Sequence, residues 1–128
     1  MPSQVRIVME TGEVEALLDD SPTAAAIVAA LPLEGTVSRW GDEIYFTIPV
    51  KVMEAPDARQ DMAVGELGYW PVGAAFCIFF GPTPVSNGPS PRAYSNVNPF
   101  GRIVGEEEGF RALLGATRDG QGIRVLPV

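Results

Sequence analysis

The sequence predicts a mainly β protein, built as a closed β-barrel of about eight strands with two short helices at its ends. Short segments in which apolar and polar residues alternate recur along the chain between turn signals. Two segments have helical spacing instead. A nearly continuous apolar run at residues 74–80 lies between Pro- and Gly-containing breakers, which is typical of a buried central strand.

The first 32 residues predict a hairpin followed by a helix. Apolar and polar residues alternate through residues 5–18 on both sides of a Thr-Gly turn at residues 11–12. Ser21 and Pro22 then favour a helix start, because the serine side chain can accept an amide hydrogen bond and proline is preset for the first helical position. Pro32 ends this alanine-rich helix.

A second hairpin is predicted from residues 36–40 and 43–49, which are joined by a Gly-Asp turn. Successive side chains of a strand point to opposite faces, so Glu43, Tyr45 and Thr47 share one face. An acid, a phenol and a hydroxyl aligned in this way can line a cleft.

The remaining segments complete the predicted barrel. Residues 53–65 lack a sustained period and are expected to form an exposed connection into the central strand. Residues 85–92 form a breaker-rich loop of a length that commonly carries function. Residues 100–104 predict a strand, residues 107–114 a helix, and residues 123–126 the last strand.

Length and charge limit the possible partners. With 128 residues and 46% apolar content, the chain is expected to form a single domain over residues 1–128. The 16 acidic and 9 basic residues give a net charge of −7, which repels nucleic acid and anionic membrane surfaces. No apolar run is long enough to span a bilayer, and residues 1–6 do not resemble a secretory leader. A cytoplasmic location is the expectation.

Histidine and cysteine usage excludes several kinds of active site. The chain has no histidine, which removes Ser-His, Cys-His and His-metal arrangements. Cys77 is the single cysteine, so no internal disulfide can form, and its apolar neighbours indicate burial. The acidic runs at residues 19–20 and 106–108 lack the spacing of a cation site. No metal and no cofactor is expected.

Four stretches together resemble the small prokaryotic cyclophilin-like domains of unassigned function. They are residues 20–24 (Asp-Ser-Pro-Thr-Ala), 40–46 (Trp-Gly-Asp-Glu-Ile-Tyr-Phe), 68–84 (from Gly-Tyr-Trp-Pro to Phe-Phe-Gly-Pro-Thr-Pro) and 97–103 (from Val-Asn to Gly-Arg-Ile). The resemblance covers residues 5–126 and implies a closed β-barrel with a helix at each end.

The resemblance implies the fold more firmly than an activity. A cyclophilin isomerase uses an arginine, in a Phe-His-Arg-Ile-Ile-Pro context, to hydrogen-bond the prolyl nitrogen. The matching strand here, residues 44–49, reads Ile-Tyr-Phe-Thr-Ile-Pro and contains neither the arginine nor the histidine. The sequence therefore leaves open whether the protein is an enzyme.

We expect a cleft in the side of the barrel to bind a small molecule or a short peptide. The candidate ligand-binding residues are Trp40, Glu43, Tyr45, Trp70, Phe80 and Arg92. Glu43 is a candidate acid or base if its aromatic neighbours raise its pKa by desolvation, and Arg92 is a candidate forked donor. The plainer interpretations are a solvated surface charge for Glu43, a core residue for Trp70 and an exposed loop arginine for Arg92.

Three alternatives remain open from the sequence. The first is a divergent prolyl isomerase in which Arg92 replaces the missing arginine while Phe80 and Trp70 hold the proline ring. The second is a hydrolase with Glu43 as its base. The third is a barrel that serves a larger enzyme as an interaction partner. The sequence does not determine the oligomeric state.

Overall fold

A computed structural model describes residues 3–128 of the chain, which form ten strands and two helices. These are β1 (Ser3–Met9), β2 (Gly12–Leu18), α1 (Pro22–Ala30), β3 (Leu33–Thr36), β4 (Ser38–Arg39), β5 (Glu43–Thr47), β6 (Arg59–Asp61), β7 (Glu66–Trp70), β8 (Ala75–Phe79), β9 (Arg92–Val104), α2 (Glu107–Gly115) and β10 (Gly122–Pro127). The expectation about a leader falls partly on residues 1–2, which lie outside the described part. Neither helix within it is long and apolar enough to cross a membrane.

The strands form one antiparallel sheet, in the order β3-β10-β1-β2-β9-β7-β8-β5-β4, and β6 pairs separately with β9. The hairpin of β1 and β2 sets Val5 opposite Ala16 and Ile7 opposite Val14. The strands at the two ends of this order, β3 and β4, are consecutive in the chain and are separated by Val37. In residues 3–128 no ladder of hydrogen bonds joins them.

The mainly β class and the two helices were predicted correctly, whereas the strand count was not. There are ten strands rather than about eight, and the hydrogen-bonded path is open. The predicted strand 36–40 is divided between β3 and β4, and residues 53–65, expected to be a bare connection, contain β6. Since β4 has two residues and β6 has three, neither is long enough to show a period in the sequence.

The inner face of the sheet packs around one apolar core, which both helices cover. Ser21 caps α1 by accepting a hydrogen bond from the amide of Ala24 at 3.1 Å. The largest fully buried side chains are Tyr69, Phe46, Phe76, Phe79, Phe80, Phe100, Ile7, Leu18, Ile27, Ile44, Leu67 and Ile78. All of them except Phe79 belong to this inner core.

The central strand β8 is buried on both faces, which explains its continuous apolar sequence. Phe76 and Ile78 belong to the inner core. Ala75, Cys77 and Phe79 point the other way and join a second apolar cluster with Met62, Ala93 and Val97. The start of β9 and the residue that follows β6 therefore cover the outer face of β8. The candidate site lies on this covered outer face.

Candidate ligand-binding site

The site is built on the outer face of β5 and β8, which are paired strands. Glu43 and Tyr45 are two residues apart on β5 and so share one face. In the antiparallel register Glu43 lies opposite Phe79, and Tyr45 lies opposite Cys77. This pairing brings an acid, a phenol and a thiol together beside the second apolar cluster.

Three aromatic rings from separate parts of the chain form the sides of the site. Trp40 precedes β5, Trp70 ends β7, and Tyr94 lies near the start of β9. The Tyr94 ring lies 6.0 Å from that of Trp40 at an interplanar angle of 72°, and 6.2 Å from that of Trp70 at 79°. Such edge-to-face pairs are favourable. The indole Nε1 of Trp70 also donates a 2.7 Å hydrogen bond to Ser95 Oγ, which fixes the ring.

These groups enclose a cavity of about 170 Å³ that opens to solvent. The lining residues are Trp40, Glu43, Tyr45, Trp70, Cys77, Ala93, Tyr94 and Val97. The volume is close to that of the roughly 150 Å³ protein cavity known to accept benzene. The cavity therefore suits one small ring or one branched group, and a larger ligand would place only part of itself inside.

Glu43 is the electrostatic centre of this cavity. It is only 6% exposed, and burial raises its pKa to about 7, while a hydrogen bond with Cys77 opposes the rise. No lysine, arginine or histidine is among the lining residues. The Glu43 side chain can therefore accept a hydrogen bond when ionised and donate one when protonated, and both forms are populated near neutral pH.

Cys77 is held in its thiol form beside this carboxyl. Burial, followed by the charge of Glu43 and a hydrogen bond with it, raises the pKa of the Cys77 thiol. Since the thiolate is the reactive form, the arrangement opposes nucleophilic or metal-ligating chemistry at Cys77. Within residues 3–128, no three His, Cys, Asp or Glu side chains converge as a metal site would require.

Four of the six predicted binding residues lie together in the cavity: Trp40, Glu43, Tyr45 and Trp70. The interpretation of Glu43 as a solvated surface charge is wrong, because the residue is buried. Trp70 is half-buried at the cavity wall.

Phe80 and Arg92 do not line the cavity. Phe80 is 2% exposed and belongs to the inner core, with the Arg39 guanidinium carbon 5.1 Å from its ring centre. Arg92 opens β9, where its Nη2 donates to Gln60 Oε1 at 3.3 Å and its Nε lies 3.9 Å from Asp61 Oδ1. Both side chains are thus engaged elsewhere.

The sequence reasoning missed Cys77, Ala93, Tyr94 and Val97. The last three were missed because β9 begins at Arg92, whereas the sequence predicted a strand only from residue 100. The alternation of side chains along β8 could have predicted that Cys77 lies on the outer face, since its neighbours Phe76 and Ile78 point inward.

A larger depression of about 1010 Å³ lies between β2, β6 and the second half of β9, yet it is the weaker candidate. Its Glu66 carboxylate is paired with Arg59 and also accepts a 2.9 Å hydrogen bond from the amide of Ala63. The half-buried Glu66 of this groove already has a cationic partner, whereas the buried Glu43 has none, so the groove offers a ligand less.

Comparison with known proteins agrees with this architecture. The family described as Cyclophilin-like matches residues 3–125. A hypothetical protein of Archaeoglobus fulgidus, known from its solution structure, is 37% identical, with a TM-score of 0.80 over 99% of this chain and 95% of that one. A cyclophilin-type peptidyl-prolyl cis-trans isomerase of Cryptosporidium parvum is 12% identical, with a TM-score of 0.54 over 100% and 98% of the two chains. No curated protein matches the sequence.

Proposed function

The chain belongs to the cyclophilin-like family, and from this premise we propose that it binds a small molecule, or one side chain of a short peptide, in the cavity on the outer face of β5 and β8. The observation that carries the proposal is a buried acid, Glu43, without a cationic partner inside an aromatic cavity. Concave, mostly apolar sites with a few polar groups are the usual form of small-molecule sites.

The energetic cost of the site supports a binding role. A buried carboxylate that lacks a cation destabilises the fold, which is why burial raises the pKa of Glu43. Removal of the charge from this position would relieve that cost. Groups retained at such a cost occur preferentially at functional sites.

Intrinsic tryptophan fluorescence can test the proposal directly. The chain contains two tryptophans, Trp40 and Trp70, and both line the cavity. A set of small ring and branched compounds would be titrated into the wild type, Tyr94→Ala and Met53→Ala. Tyr94 is 69% exposed and Met53 is 88% exposed, so neither change should unfold the chain. Met53 lies outside the cavity lining and serves as the matched control.

We expect at least one compound to change the fluorescence saturably. Tyr94→Ala should weaken its binding about fivefold because the ligand loses a ring contact worth roughly 1 kcal/mol. Met53→Ala should bind like the wild type. Equal weakening in both variants, or saturable binding by none of the compounds, would contradict the proposal.

Prolyl isomerisation is the second candidate, and the size of the cavity favours it because a pyrrolidine ring is small enough to enter. Against it, no arginine lines the cavity, and Arg92 is held by Gln60 and Asp61. An isomerase assay on a short Xaa-Pro peptide, run with Arg92→Ala and a protein-free blank, separates the two functions. We expect rates equal to the blank, whereas an acceleration lost in Arg92→Ala would make isomerisation the function.

A further inference from the structure

We propose that the group bound in this cavity is a small organic cation, a methylated or quaternary ammonium, held by the Glu43 carboxylate among the rings of Trp40, Trp70 and Tyr94. The inference rests on the proposed function and names the chemical class of its ligand.

Two arginines, Arg39 and Arg92, are adjacent in sequence to lining residues of the cavity, and both already have partners. Arg39 donates to the carbonyls of Gly115 and Thr117 at 3.1 and 2.7 Å and to Asp42 at 3.3 Å. Arg92 is engaged by its own partners, as described above. Among residues 3–128, no basic side chain forms an ion pair with Glu43. The negative charge of the ionised site is therefore left for a ligand to neutralise.

The aromatic lining of the cavity favours a cation over a neutral polar ligand. Aromatic faces carry partial negative charge and attract a cation within about 6 Å of the ring centre. Tyr94 stands nearly perpendicular to both indoles, so the three rings bound the cavity in more than one plane. A quaternary ammonium has no N–H donors, which matches a lining whose polar groups are few.

The size of the cavity excludes most other cations. A cavity of about 170 Å³ admits a trimethylammonium group but not a guanidinium together with a long side chain. A bare metal ion would need several oxygen ligands, and Glu43 supplies the only carboxylate of the lining. The cavity thus fits a compact organic cation.

Binding of a cation should depend on the ionisation of Glu43. The titratable groups that face it are Tyr45 on its own strand, Cys77 on β8 and Tyr94 on β9, and the adjacent Asp42 is paired with Arg39. With a pKa of about 7 for Glu43, the ionised fraction rises about tenfold between pH 6 and pH 8. The affinity for a cation should rise by the same factor.

The test compares choline with 3,3-dimethylbutan-1-ol, which has the same shape but carries carbon in place of the charged nitrogen. Both would be titrated at constant ionic strength at pH 6 and pH 8, with tryptophan fluorescence as the readout. The variants are Glu43→Gln, which removes the charge and keeps the shape, and Glu34→Gln, which removes an exposed carboxylate outside the cavity.

At pH 8 we expect choline to bind the wild type and Glu34→Gln at least about tenfold more tightly than the neutral alcohol. The preference should fall at pH 6 and be lost in Glu43→Gln. If the alcohol binds as tightly as choline, the inference is overturned while the proposed function stands. If neither compound binds, the inference is again overturned, and the wider set of compounds described above decides the proposed function separately.

Discussion

The carboxyl group of Glu43 lies beside the thiol of Cys77, on neighbouring strands that are both covered by the start of β9. The charge of Glu43 makes ionisation of Cys77 less favourable, whereas the hydrogen bond with Cys77 favours the ionised form of Glu43. Burial is the larger cause for both. Because burial raises the pKa of Glu43 to about 7, the candidate site is sensitive to pH even without a ligand.

The free energy of unfolding of Glu43→Gln, relative to that of the wild type, should increase as the pH rises. The folded pKa of about 7 lies above the ordinary glutamate pKa of 4.5, so the native state holds the Glu43 proton through a range in which the unfolded chain releases it. Stability from this group is present below about pH 4.5 and is lost as the pH rises through about 7, a change on the order of 3 kcal/mol. Urea unfolding at pH 5 and pH 8 measures it.

Other groups also titrate between these pH values. The free energy of unfolding of the wild type is therefore compared with that of the variant at each pH. The wild type should lose up to about 3 kcal/mol relative to Glu43→Gln between pH 5 and pH 8. Glu34→Gln should follow the wild type at both values. A pH-independent difference for Glu43→Gln would show that Glu43 ionises normally in the folded state.

Cys77 should be unreactive in the folded protein. Its thiol is buried and its pKa is raised, so almost no thiolate is accessible at pH 8. A colorimetric disulfide reagent should label it only as fast as the chain opens, and labelling should become rapid in unfolding concentrations of urea. Rapid labelling of the folded protein at pH 8 would indicate an accessible, ionised thiol instead.

Asn98→Ala should destabilise the fold by about 3 kcal/mol, because Asn98 is fully buried and makes three hydrogen bonds. Its Nδ2 donates to Thr23 Oγ1 at 3.1 Å and to the Met53 carbonyl at 3.0 Å, and its Oδ1 accepts from the Ala55 amide at 2.7 Å. These bonds tie α1 and the segment after β5 to β9.

Asn87→Ala is the matched control for Asn98→Ala, because Asn87 lies in the loop before β9 and outside the core. Urea unfolding of both variants should show a large loss of stability for Asn98→Ala and a change within about 0.5 kcal/mol for Asn87→Ala. Similar stabilities for the two variants would mean that the buried amide is not needed to hold these segments.

Phe80→Leu and Arg92→Ala should leave ligand affinity unchanged, although the sequence proposed both residues for binding. Phe80 packs in the inner core, so its replacement should cost about 1–2 kcal/mol of stability. Arg92 is partly exposed and its ion pair with Asp61 is long, so its loss should change stability little. Fluorescence titration beside thermal unfolding separates the two effects. A loss of affinity in Arg92→Ala would place this side chain in the site.

The parts of the site that sequence could predict are those with a local pattern. Alternation along β5 placed Glu43 and Tyr45 on one face, and that face is the one that lines the cavity. The alternation of side chains along β8 would also have placed Phe80 in the core rather than in the site, because residues 76, 78 and 80 share the inward face. The continuous apolar run hid this signal, since a strand buried on both faces shows no alternation.

The remaining parts depend on which segments meet in space. Tyr94 becomes part of the site because β9 runs for 13 residues and carries its first half over the outer face of β8. The sequence does not show this length, because the preceding loop is rich in breakers and Pro99 within the strand argues against a continuous strand. β6 is likewise defined by its pairing with β9 rather than by its own three residues. Such long-range pairings leave no local pattern to read.

Chemical-shift mapping by heteronuclear NMR on the ¹⁵N-labelled protein shows whether a ligand binds in the cavity at Glu43. A compound that changes the tryptophan fluorescence would be titrated while the two indole N–H signals and the backbone amides are followed. We expect the signals of four residues to shift together with one affinity: Trp40, Trp70, Glu43 and Tyr94. Shifts confined to Arg59, Glu66 and Arg102 in the larger depression, with both indole signals unmoved, would contradict it.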